Sequence, residues 1–118
     1  MSRHKISMIL ILILILTPAS LWAWQGQVVG VPDGGTITVS HDGKNEKVRL
    51  YGIYCPEHRQ DFSQEAKEFT SKMVSGEFVE VKPMDTDRYG RTVGMVSIDE
   101  KSLNEELVRA GLAGVYTD

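Results

Sequence analysis

Two charged residues stand out in the stretch VRLYGIYCPEHR: Arg49 inside an apolar run, and Glu57 just past a Cys55-Pro56 pair. Arginine presents a planar, always charged fork of donors that matches phosphate oxygens. A carboxylate can orient a water for in-line attack on such a group. Eight residues and a tight turn apart, the two are either ordinary exposed charges or half of a phosphate-handling site. Tyr54 lies between them, where a metal-assisted version of that chemistry wants a carboxylate, and a phenol is neutral at working pH. Cys55 is the single cysteine, so the chain has no internal disulfide. A catalytic thiol wants an imidazolium or a helix N-terminus beside it. His58 is close, but no third group is evident to orient it, so Cys55 reads as a buried, inert thiol. No metal-ligand spacing links His41 and His58, which read as surface residues.

The elements around these residues follow from pattern. Gln27 to Val31 is a short β-rich run ending at Pro32-Asp33-Gly34-Gly35, strong turn chemistry. Thr36 to Ser40 alternates like a half-buried strand, and His41-Asp42-Gly43 closes a hairpin. Lys47 to Ile53 is a third strand, carrying Arg49 on the face opposite Val48 and Leu50. A helix is expected next, with Ser63 as N-cap, Ala66, Phe69, Thr70 and Met73 on one face, and Gly76 at its end. Phe78 to Lys82 and Thr92 to Ile98 are strands four and five, joined by the loop MDTDRYGR. Ser102-Leu-Asn-Glu105 spells a capping box for a last short helix ended by Gly111. The order β-β-β-α-β-β-α, mainly β with helices, is that of a five-stranded OB-fold barrel. Such barrels commonly bind polyanions, but fold alone proves no function.

The first 23 residues have the pattern of a signal peptide: Arg3, His4 and Lys5, then Ile6 to Leu16, almost all Ile and Leu, then small residues to Ala23. The apolar run is shorter than the roughly 17–25 residues of a spanning helix. A secreted or periplasmic protein with no membrane attachment after cleavage is therefore expected, with residues 24–118 as one domain. Without Arg3 and Lys5 the 13 basic residues drop to 11, against 16 acidic ones. That balance argues against strong non-specific nucleic-acid affinity, though not against a local basic cleft.

VPDGGTITV, VRLYGIYCPE, TDRYGRTVGMV and LNEELVRAGLA occur in that order. Together they closely resemble the staphylococcal nuclease (thermonuclease) family, over about Gln25 to Tyr116. The resemblance implies a five-stranded OB barrel and a calcium-dependent phosphodiesterase acting on DNA and RNA. By position, it implies catalytic roles for Arg49 on the scissile phosphate, Glu57 on the attacking water and Arg91 on the developing charge. Asp87 and Tyr89 read as loop architecture rather than chemistry.

Two positions depart from that family. Its metal aspartates would fall at Gly35 and Tyr54, neither of which offers a carboxylate. Calcium takes six to eight oxygen ligands, and carboxylates supply much of the affinity. Asp33 is a weak candidate replacement, because turn aspartates usually cap their own backbone. Losing a Lewis acid worth several kcal/mol costs several orders of magnitude in rate. Three readings stay open: an impaired nuclease homologue that still binds single-stranded DNA or RNA, an active nuclease with a metal site rebuilt on Asp33 and Glu57, and a non-enzymatic protein- or polyanion-binding module. The resemblance also implies a further C-terminal helix, absent from this sequence, whose flank a dimer or partner would cover.

Overall fold

The computed structural model describes residues 22–116. The expected signal segment lies outside the described residues, except for Trp22 and Ala23. The elements are β1 (Trp24–Asp33), β2 (Thr36–His41), β3 (Lys44–Leu50), β4 (Ile53–Tyr54), α1 (Ser63–Val74), β5 (Phe78–Thr86), β6 (Thr92–Ile98), β7 (Lys101–Ser102), α2 (Leu103–Arg109) and β8 (Gly114–Val115). The main sheet runs β3-β2-β1-β5-β6-β7, and an extra β3–β6 pairing closes its five long strands into the expected barrel. Among the described residues no helix is long and apolar enough to cross a membrane.

Alternation drives the closure. Val28, Ile37, Val39, Val48, Leu50, Val79, Val81 and Val96 turn inward and are buried. The two helices cover the core with Ala66 and Val74 from α1 and Leu103 and Leu107 from α2. Removing such side chains from water is the main favourable term, roughly 1.5–3 kcal/mol for each large one.

The turns follow two different rules. Asp42 and Gly43, the two residues between His41 and Lys44, have φ of 50° and 77°, the left-handed pair that suits a tight hairpin. Gly34 and Gly35, between Asp33 and Thr36, do not have that geometry. Gly34 is needed for closeness, since a Cβ there would stand 2.6 Å from the Ala66 Cβ of α1. Thr70 Oγ1 donates to the Gly34 carbonyl at 2.8 Å, so α1 holds this turn in place.

Three sequence expectations need correction. Ser63 is the first residue of α1 rather than its N-cap; Phe62 takes the cap position at φ 66° with no side-chain cap bond. The preceding turn, with Ser63 N–H donating to the Gln60 carbonyl at 3.2 Å, already supplies the first helical donor with a partner. The third strand starts earlier and ends at Leu50, because Tyr51 and left-handed Gly52 (φ 77°) form a turn before β4. The fourth strand continues past Lys82 to Thr86, with a register shift between Pro83 and Asp85 that accommodates the proline. At α2, Ser102 accepts from the Glu105 amide at 3.2 Å as expected. Gly111 (φ 76°) then ends it in a Schellman motif, with Leu112 N–H on the Leu107 carbonyl and Gly111 N–H on that of Val108.

Candidate phosphate-binding cleft

Arg49 is set by two pairings. In β3 it lies opposite Thr36 of β2, and on the other side it is in parallel register with Val93 of β6. Its neighbours Val48 and Leu50 face the core, which sends Arg49 outward and leaves it half-buried. The parallel β3–β6 pair also brings the residues just before β6 against this strand. Arg49 and Arg91 consequently line one cleft of about 470 Å³, together with Tyr51, Asp85, Asp87 and Tyr89.

Asp87 builds the loop that presents Arg91. Its carboxylate accepts from the amides of Tyr89 and Arg91, both at 2.9 Å, and from Arg91 Nε at 2.6 Å. The Asp87 amide donates in turn to the Arg91 carbonyl at 3.0 Å. Desolvation alone would raise the Asp87 pKa, but the Arg91 and Tyr89 hydrogen bonds and the Arg91 charge outweigh it and hold the carboxyl below its ordinary value. Tyr89 is covered by both neighbouring cations, with Arg88 at 5.1 Å and Arg91 at 5.7 Å from its ring centre. Arg49 differs from Arg91 in having no carboxylate within ion-pair distance among the described residues.

Glu57 is not part of the cleft wall. It sits exposed in the turn after Pro56, its amide donating to Gln60 Oε1 at 2.6 Å and its carbonyl accepting from Gln60 N–H. Cys55, two residues before it, is what approaches Arg49. A Cβ built on Gly35 would stand 3.3 Å from Cys55 Cβ and 3.6 Å from Arg49 Nη1. Gly35, Cys55 and the Arg49 guanidinium therefore share one corner.

That corner does not fit calcium. Asp33 Oδ1 accepts from the Gly35 amide at 2.8 Å, so it caps its own turn. Gly35 is buried and contributes no side-chain oxygen, and a guanidinium nitrogen lies where anionic ligands would have to gather. Tyr54 is packed over Gly114 in β8, where a Cβ would come within 2.6 Å of its Cζ, and its ring meets that of Tyr116 at 5.2 Å. Among the described residues no group of three His, Cys, Asp or Glu side chains is placed to hold a metal ion.

Several cleft residues escaped the sequence reading. Tyr51 and Tyr116 have no local signature, because they come to one cleft only through the pairing of β4 with β8. Asp85 and Arg88 sit in the MDTDRYGR segment without any spacing that marks them. Buried Asn104 had a signal, an amide among the apolar positions of a short helix. It accepts from the Val96 amide at 3.0 Å and donates to the carbonyls of Tyr51 and Gly94 at 3.0 and 3.2 Å.

The sequence model described as "Staphylococcal nuclease homologue" matches residues 47–118. An uncharacterized endonuclease of Escherichia coli is 40% identical over 93 residues, covering 78% of this chain and 61% of its own. The thermonuclease of Staphylococcus hyicus is 36% identical over 95 residues, covering 74% and 56%. The micrococcal nuclease of Shigella flexneri is 31% identical over 116 residues, covering 90% and 66%. The chain thus spans about three-fifths of the length of the relatives it matches. With the closed barrel, two arginines on one cleft and this match over most of the described fold, the chain belongs to the staphylococcal nuclease homologue family.

Proposed function

We propose that this domain binds phosphate groups of nucleic acids through Arg49 and Arg91, and that its metal-dependent hydrolysis is weak or absent. The observation that carries the reading is Arg49. It is a half-buried guanidinium that meets no counter-ion among the described residues and opens on the same cleft as Arg91. A desolvated cation of this kind gains most from an oxyanion ligand. Beside it the carboxylates that would have to hold calcium are missing at Gly35 and Tyr54, and Asp33 turns Oδ1 to the Gly35 amide. Glu57 keeps the residue type for activating a water, but it stands outside the cleft wall and in this reading has no Lewis acid beside it. Export belongs to the same proposal and rests on the basic and then apolar order of residues 3–16. Sequencing the N-terminus of protein recovered from outside the cytoplasm checks it.

The test is a calcium titration of the purified protein with a nucleic-acid substrate present, followed by calorimetry of calcium alone. The expected result is binding of the nucleic acid with little or no turnover at any calcium concentration. Robust calcium-dependent cleavage that Glu57→Gln abolishes would overturn the reading, and would favour a metal site rebuilt on Asp33 and Glu57.

A further inference from the structure

The turn between β3 and β4 borders a second concavity besides the phosphate cleft. It is an apolar groove of about 530 Å³, lined by Tyr51, Met95, Val108 and Val115 and flanked by Glu105 and Arg109. Glu105, Val108 and Arg109 stand three and four residues apart on α2, on a side turned away from the buried Leu103 and Leu107. The walls are fixed in advance, because Asn104 ties α2 to β6 and to the Tyr51 carbonyl. Tyr51 and Val115 keep 41% and 54% of their surfaces exposed, so the groove shows apolar side chains that no described element covers. Such a patch with a charged rim marks an interaction surface.

We propose that a second copy of this chain docks in the groove, α2 against α2 about a two-fold axis, with Glu105 of each copy meeting Arg109 of the other. The charges carry the choice of occupant. An acid and a base four residues apart call for the same two charges in reverse order, and an antiparallel copy of α2 supplies them. The two-fold then makes two such pairs and closes the assembly at a dimer. Helices packed about 8–10 Å apart bring side chains of this length into reach of one another. Glu105 has no ion partner among the described residues. Arg109 reaches Glu106 at 3.5 Å, yet its side chain is still 71% exposed and keeps free donors. A nucleic acid or an anionic membrane surface would face the Glu105 and Glu106 carboxylates. A wholly basic or wholly acidic segment would match only one end of the groove. One short helix and one groove per copy make a small interface, so the dimer should form at micromolar concentration.

The experiment is sedimentation equilibrium of the purified protein, its N-terminus sequenced, over about 1–100 μM. The expected result is a monomer–dimer equilibrium with a Kd in that range. Val115→Asp, at an exposed side chain, should leave a monomer with the wild-type circular dichroism spectrum. Glu105→Arg should weaken the dimer about tenfold, since the two-fold applies the lost attraction and the new repulsion twice. Arg109→Glu should do the same, and the two reversals combined in one chain should restore the wild-type Kd. A wild-type monomer at every concentration, alone or bound to a different protein, overturns the proposal. So does a dimer indifferent to Val115→Asp or to the single reversals, or one that the combined reversals fail to restore. A dimer formed only by protein that retains residues 1–23 would assign the contact to that segment and overturns it too. The wild-type measurement does not depend on how any variant folds, and no nucleic acid is present, so the phosphate-binding reading stands or falls separately.

Discussion

Cys55 shows how a single side chain is made chemically quiet here. Burial is the main cause that pushes its thiol up to about 11, the negative charge of Asp33 adds to it, and the Arg49 guanidinium opposes both. A raised thiol pKa means that the folded state favours the neutral form. That contribution to stability is fully present below the ordinary value of 9.0 and is lost as pH rises through about 11. Urea unfolding followed between those values should therefore show falling stability, and Cys55→Ala should flatten the slope. At pH 8 the native thiol should react with a disulfide reagent at least roughly a hundredfold more slowly than in denaturant, since burial and lost thiolate act together. Equal rates would show the thiol to be accessible. The sequence suggested an inert cysteine because nothing nearby could orient His58. Only the fold supplied the Asp33 and Arg49 charges that now act on it.

Among the elements, α2 does more than cover the core. Asn104 joins it to β6 through the Val96 amide and the Gly94 carbonyl, and to the turn after β3 through the Tyr51 carbonyl. The turn so fixed leads directly from Arg49 toward Tyr54. Asn104→Ala would leave the Val96 amide and the part-buried Tyr51 carbonyl without this partner, while the Gly94 carbonyl keeps the Tyr51 amide, and should cost about 1–3 kcal/mol, the range for an unpaired buried group. Chemical denaturation measures that loss. An unchanged midpoint would mean that water takes over the bonds. The glycine-rich β1–β2 turn depends on α1 in a similar way, through Gly34 against Ala66 and the Thr70 hydroxyl. The sequence marked this turn by its Pro32-Asp33-Gly34-Gly35 run. Its glycines allow close approach to a helix and the Gly35 corner rather than a left-handed backbone.

Over the whole molecule the formal charge is −3, while the cleft has three arginines against two aspartates. A ligand therefore meets a net repulsive protein and a small attractive mouth. Binding of single-stranded DNA should weaken with salt along a shallow slope. Each phosphate neutralised contributes about 0.7 to the slope of log K against log salt, so two arginine contacts give about 1.4. Arg49→Ala should remove about half of that slope, measured by anisotropy over a salt series. A slope unchanged in that variant would show that Arg49 touches no phosphate.

The amino-acid sequence by itself determined the order of the long elements, a hairpin turn around Asp42-Gly43, the glycine that ends α2 and the loss of carboxylates at positions 35 and 54. These features follow from side-chain alternation, from turn residues and from helix ends, all of which act over a few neighbours. Tertiary structure alone decided that Arg49 and Arg91 share a cleft, because that depends on β3 pairing in parallel with β6 across the whole of residues 51–91. It also decided that Glu57 stands outside the cleft wall and that Tyr54 and Tyr116 meet. Local pattern says which face of a strand is apolar. Which distant strand covers that face, and in what register, is set only when the barrel closes around its core.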